Sequence, residues 1–100
     1  VSGSNPTVTV YTGDQINFAM NASGHPLFIR VSNGGANVST PAAINQGTAS
    51  GGSVIWIPNT AGTYYYQCGN HSNMIGQIVV QEVPASEYIF WAIGPDNTPP

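Results

Sequence analysis

The chain has 100 residues, of which 41% are apolar and only 5% are charged, so its length suits one domain with a single hydrophobic core. One arginine and no lysine stand against four acidic residues, which excludes nucleic-acid binding and attachment to a membrane through a basic patch. No apolar run approaches the roughly 20 residues of a transmembrane helix, so direct membrane insertion is excluded as well.

The first third of the chain alternates apolar and polar residues. The alternation runs through residues 7–11, 15–20 and 27–31, with turn-forming Gly, Asp, Asn and Pro between the segments. A period of two is typical of half-buried β-strands. Residues 32–53 are rich in Ser, Asn, Gly, Ala and Thr, and they are predicted to form a long connection with at most one weak edge strand.

The strand pattern returns over residues 54–57, 63–68 and 77–81. In the second of these segments Tyr64, Tyr66 and Cys68 share the face predicted to point inward, which turns Tyr65 and Gln67 outward. In the last segment Ile78 and Val80 are predicted to point into the core, with Gln77 and Gln81 exposed. No segment has a helical stripe, so the sequence predicts an all-β sandwich or barrel.

Residues 84–100 differ in composition from the rest. A strongly apolar cluster at 88–91 lies between a proline and a tail rich in Pro, Gly and Asn. We therefore expect a domain over residues 1–83 and a C-terminal extension or linker over 84–100, packed in part at 88–91.

The most informative motif is Cys68-x2-His71-x2-Met74, which holds the only cysteine of the chain. Thiolate, imidazole and thioether together form a soft ligand set, and His25, the other histidine, completes a His2Cys-plus-Met set that suits copper. Each residue also has a simpler interpretation: the cysteine or Met74 as plain core packing, and the histidines as core or surface residues. Zinc is the weaker metal prediction, because methionine is a poor zinc ligand.

The run GTYYYQCGNHSNMIG at residues 62–76 resembles the copper loop of the cupredoxins, the small blue-copper proteins that include plastocyanin and amicyanin. Residues 10–18 and 24–27 resemble the N-terminal half of that family, and the loop spacing is most similar to amicyanin. The resemblance implies a Greek-key sandwich or barrel of about seven or eight strands. It also implies one type 1 copper ion, with equatorial ligands His25, Cys68 and His71 and a weak axial Met74.

The resemblance to this family implies that the function is single-electron transfer between redox partner proteins and that the protein is not an enzyme. The partners would dock near His71 on an apolar ring that includes Pro26, Met74 and Ile75. An extracytoplasmic location (periplasmic, secreted or cell-surface) and a monomeric isolated domain are also implied. The alternative is a copper-binding or structural module of a larger extracellular or membrane-anchored protein. An oxidase or nitrite-reductase role would need histidines beyond the two present.

Two positions depart from the family pattern. Pro26 follows the first histidine and has no backbone N–H to offer the thiolate, whereas Asn70 stands where plastocyanin and amicyanin have proline. We therefore predict that the thiolate hydrogen bond moves to the Asn70 N–H, and the sequence-based expectation is that Asn70→Pro raises the reduction potential. N-x-S sequons occur at Asn21, Asn37 and Asn70; coincidence explains them best in so Asn- and Ser-rich a chain, and we expect Asn70 to be unmodified.

Overall fold

A computed structural model describes residues 5–83, and this part of the chain is all-β, with six strands and no helix. The strands are β1 (Val8–Tyr11), β2 (Ile16–Asn21), β3 (Leu27–Arg30), β4 (Ser50–Trp56), β5 (Gly62–Cys68) and β6 (Ile75–Gln81). The predicted all-β class is confirmed, with a strand count slightly below the expected seven or eight. The predicted extension over residues 84–100, including the cluster at 88–91, lies outside the described residues.

The strands form two sheets. One has the order β1-β6-β5-β3, and the other pairs β2 with β4. The β1–β6 pair is parallel, while the other pairs are antiparallel. Only β5 and β6 are neighbours in both sequence and space; every other connection passes from one sheet to the other. This repeated crossing brings residues far apart in sequence to the same end of the sandwich.

The core lies between the two sheets and confirms most of the predicted alternation. Its buried apolar members are Ile16, Leu27, Ile29, Val38, Val54, Trp56, Ile78 and Val80. Ile78 and Val80 point inward and Gln77 and Gln81 are exposed, as the period of two predicts. Each fully buried aliphatic side chain stabilises the fold by about 1.5–3 kcal/mol relative to an exposed one.

The long connection before β4 differs from its prediction in extent. The connection ends at residue 49 and not at residue 53, because β4 begins at Ser50 and pairs with β2 through Asn21↔Ser50 and Met20↔Gly52. Residues 32–49 make isolated bridges in place of a continuous strand, for example Arg30↔Asn37 and Ile44↔Ile55. The small residues at the start of β4 contribute little side-chain packing. Whether they form a strand therefore depends on backbone pairing with β2.

Two apolar residues at the ends of predicted strand segments are exposed. Val31 is 47% exposed because β3 ends at Arg30 and the chain turns there, with the Val31 N–H donating to the Ala36 carbonyl. Ile57 is 46% exposed, one residue beyond the end of β4. Among residues 5–83 there is no helix long and apolar enough to cross a membrane.

Candidate metal centre

The site lies at the end of the sandwich where β3 begins and β5 ends. Leu27 and Cys68 face each other in the register of these antiparallel strands, so the cysteine lies beside the segment that leads into β3. His25 is in that segment, at the end of a turn closed by its N–H donating to the Ala22 carbonyl at 2.9 Å. Cys68 is buried and points inward, as the alternation along β5 predicts.

The loop from Cys68 to Met74 is short and internally bonded. The Met74 N–H donates to the His71 carbonyl at 3.0 Å, and the Cys68 N–H donates to the Met74 carbonyl at 2.9 Å. Two more bonds join the loop to the segment around His25. The Gly69 N–H donates to the Pro26 carbonyl at 2.8 Å, and the Asn70 side-chain amide donates to the Gly24 carbonyl at 3.0 Å.

Three of the four predicted ligands converge. The Cys68 Sγ lies 3.7 Å from the His25 Nδ1 and 3.5 Å from the His71 Nδ1, and the ligand atoms of all three residues lie within 4.8 Å of one another. Cys68 is buried, His25 half-buried and His71 exposed. Met74 is half-buried and lines, together with His25 and Cys68, an apolar cavity of about 130 Å³.

The two sulfur–nitrogen distances fit a bound metal ion. With metal–sulfur and metal–nitrogen bonds of about 2.3 and 2.0–2.1 Å, tetrahedral to trigonal angles separate the two donors by about 3.5–3.8 Å. Both observed sulfur–nitrogen distances fall in this interval. A cysteine sulfur with two imidazoles is also the donor set that a soft first-row metal such as copper prefers.

The predicted hydrogen bond to the sulfur is present. The Asn70 N–H donates to the Cys68 Sγ at 3.4 Å, within the range for a sulfur acceptor. Pro26 contributes a carbonyl to the Gly69 N–H instead, which a proline can do because it lacks only the donor. Asn70 therefore contacts both sides of the site, with its backbone at the sulfur and its side chain at Gly24.

Gln67 contradicts its prediction. Alternation places it on the face opposite Cys68, and we expected that face to be exposed, but Gln67 is fully buried. The 33–34 turn and the metal-site loop cover it, since Gly34, Asn33 and Ser72 all hydrogen-bond its side chain. Alternation identifies the face of a strand, but it does not reveal what packs over that face.

Gly69 and Tyr66 also shape the site, although neither was assigned a role there from the sequence. Gly69 must lack a Cβ, because one built there would lie 2.6 Å from the Cε2 of Phe28. Tyr66 lines the cavity beside Cys68, packs its ring against Phe18 at 5.0 Å between centroids, and donates its hydroxyl to the Pro6 carbonyl. Burial raises the pKa of the Tyr66 phenol, which keeps it the neutral donor that this bond requires. The alternation along β5 already placed Tyr66 on the same face as Cys68, but nothing in the sequence indicated its contacts with Phe18 and Pro6.

Comparisons with known proteins agree with this geometry. No protein-family model and no curated protein sequence matches the chain. Among solved structures, the fold matches several structures of amicyanin, and this match together with the His-Cys-His cluster is consistent with a cupredoxin. One of these structures is the reduced Cu(I) form at pH 4 of a proline-to-glycine mutant, 27% identical over 76% of this chain and 70% of that one, with a TM-score of 0.54.

Two other amicyanin structures are similar in the same way. The Cu(I) form of a methionine-to-glutamine mutant is 25% identical, with 76% of this chain and 70% of that one covered and a TM-score of 0.53. Amicyanin from Paracoccus versutus is 21% identical over 76% of this chain and 69% of that one, with a TM-score of 0.57, and supports the fold alone.

Proposed function

We propose that this protein is a mononuclear type 1 copper protein that transfers single electrons between redox partners and is not an enzyme. The observation that supports this most directly is the position of the His25 and His71 Nδ1 atoms, 3.7 and 3.5 Å from the Cys68 sulfur. Similarity to amicyanin, three of whose matching structures are described as Cu(I) forms, supports copper as the metal. Bound copper would supply a one-electron couple between Cu(II) and Cu(I).

In this proposal each side chain has a distinct role. Cys68 would supply a buried sulfur ligand, and His25 and His71 would supply two imidazoles. Met74, which lines the same cavity as His25 and Cys68, would add a weakly held thioether sulfur. His71 is the only exposed member of the three-residue cluster, so electrons would enter and leave through the edge of its ring.

The surroundings of His71 suit an uncharged docking surface. Residues 69–76 contain no charged side chain, and Pro26, Met74 and Ile75 are half-buried apolar residues next to them. The described acids, Asp14 and Glu82, lie toward the other end of the sandwich, where β1 and β6 end together at Tyr11↔Gln81. We propose an extracytoplasmic location, as the resemblance implies, and redox proteins with a matching apolar surface as partners.

This surface predicts a kinetic signature. We expect the second-order rate constant of electron transfer with a partner protein to be nearly independent of ionic strength, because the described residues around His71 form no charged patch that could steer the encounter. Stopped-flow mixing across a range of salt concentrations measures it, with a highly charged inorganic reductant as the positive control. A steep fall of the protein–protein rate with salt would contradict the uncharged docking surface.

The Asn70 N–H predicts a shift of the reduction potential, and the sign expected from the sequence needs correction. An N–H pointed at the thiolate stabilises negative charge on sulfur, which favours the more electron-rich Cu(I) state. Asn70→Pro removes this donor, so it should lower the potential, not raise it. Voltammetry measures the shift. Asn70→Ala is the control: it loses the side-chain bond to Gly24 but keeps the N–H, and a shift equal to that of proline would refute the role of the N–H.

The alternative is a copper-binding or structural module of a larger protein. Titration with Cu(II) followed by voltammetry of the 100-residue chain separates the two functions. A reversible one-electron wave supports the electron carrier. Tight copper binding without a reversible wave supports the binding module, and the absence of copper binding leaves the structural one.

A further inference from the structure

Gln67 is an unusual residue for its position. It directly precedes Cys68 on β5, and its side chain is fully buried on the strand face opposite the thiol. A buried primary amide is costly unless its donors and acceptors are all paired. The partners that pair it therefore indicate what the residue does.

All four hydrogen-bonding positions of the Gln67 amide are used. Its Oε1 accepts from the Arg30 Nη1 and from the Gly34 N–H, each at 3.0 Å. Its Nε2 donates to the Asn33 Oδ1 at 3.3 Å and to the Ser72 carbonyl at 2.8 Å. Two donors meet the oxygen and two acceptors meet the nitrogen, so the opposite orientation of the amide would place like groups together.

The bond to Ser72 spans the ligand loop. Gln67 is the residue before Cys68, and Ser72 is the residue after His71. The Gln67 side chain therefore joins the two ends of the short segment that contains Cys68 and His71. It does so from the protein interior, whereas the Asn70 side-chain bond to Gly24 is exposed to solvent.

The other end of the Gln67 network is firmly held. Arg30 is the only Lys or Arg of the chain, and its guanidinium lies over the Phe28 ring with 5.1 Å from the Cζ to the ring centroid. Phe28 in turn packs directly beneath Gly69. The Arg30 Nε is buried without a hydrogen-bond partner among the described residues, so the Nη1 bond to Gln67 is a significant part of the pairing of this cation.

We propose that Gln67 is a positioning residue of the metal centre. Anchored on Arg30 and Gly34, it holds the Ser72 carbonyl and thereby keeps the His71 loop in its metal-binding shape before the metal arrives. The effect on metal binding rests on the proposed function, whereas the hold on the loop is a property of the metal-free protein. Preorganisation of this kind strengthens binding by reducing the ordering cost that the metal would otherwise meet.

Amide hydrogen exchange of the metal-free protein tests the hold on the loop. Gln67→Met has a similar length but makes none of the four bonds. We expect exchange at the Met74 amide, which donates to the His71 carbonyl, to rise about tenfold or more relative to protected amides of β1 and β6. The Gly34 amide should lose protection in the same variant.

Gln67→Glu provides a second variant that separates the two halves of the amide. A carboxylate can still accept from Arg30 and Gly34, but it cannot donate to Ser72. Exchange should therefore increase at Met74 while Gly34 stays protected. Gln81→Met, at the far exposed end of β6, is the matched control and should leave the loop unchanged.

Two results would overturn the proposal. One is a Met74 amide whose relative exchange is unchanged in both Gln67 variants. The other is a rise by the same factor at every amide, which indicates only a loss of global stability. Copper dissociation is measured separately and should be about 10–100 times faster in Gln67→Met. If the wild-type chain binds no copper, the proposed function fails, while the exchange data still decide whether Gln67 holds the loop.

Discussion

Adding Cu(II) to the metal-free protein is expected to produce an intense visible absorption band, and Cys68→Ser is expected to abolish it. The band requires a thiolate bonded to copper, and Cys68 is the only thiol of the chain. A serine hydroxyl is a harder and far less acidic ligand, so copper affinity should also fall by more than the roughly 10–100-fold that loss of a supporting residue costs. Absorption spectroscopy and competition with a copper chelator measure the two effects.

The matched control for this result is Met20→Leu. Met20 lines the same cavity as Cys68 and Met74 but comes from β2, where it packs against the core. A leucine of similar volume there should leave the band intact. A band that survives Cys68→Ser, or one that Met20→Leu removes equally well, would show that copper is not bound by the His25–Cys68–His71 cluster.

Gly76→Ala is expected to destabilise the fold, although alanine is normally the better strand residue. Gly76 faces Tyr66 in the β5–β6 register, and a Cβ built there would overlap the Tyr66 ring and hydroxyl. The ring cannot retreat freely, because it packs on Phe18 and bonds the Pro6 carbonyl. Overpacking of this kind costs about 1–3 kcal/mol in the free energy of unfolding, which urea denaturation measures.

Gly52→Ala is the control for Gly76→Ala. Gly52 is also a strand glycine, but a Cβ there would meet only the Thr48 methyl at an ordinary 3.5 Å. This substitution should be neutral or stabilising by about 0.5–1 kcal/mol, as expected when a strand glycine has room for a side chain. The double variant Tyr66→Ala with Gly76→Ala should recover part of the stability relative to the sum of the single changes. Equal effects of the two glycine variants would contradict the steric explanation.

The strand register explains how much of the site could be predicted. Cys68, His71 and Met74 are neighbours in sequence, so their spacing was visible directly. His25 was the only other histidine in the sequence. It lies close to the Cys68 sulfur because Leu27 pairs with Cys68, a residue 41 positions further along the chain. The family resemblance supplied that pairing, because composition and periodicity do not specify which strands become neighbours.

Local chemistry and tertiary packing therefore decided different properties. The sequence alone determined the all-β class, the soft ligand set and the donor at Asn70, because each follows from a period of two or from atoms that a residue has or lacks. Only the tertiary structure decided that Gln67 is buried, that Val31 is exposed and that Gly76 has no room for a Cβ. Those properties depend on which distant segment packs over a given strand face. The pattern of residues within one strand does not indicate which segment that is.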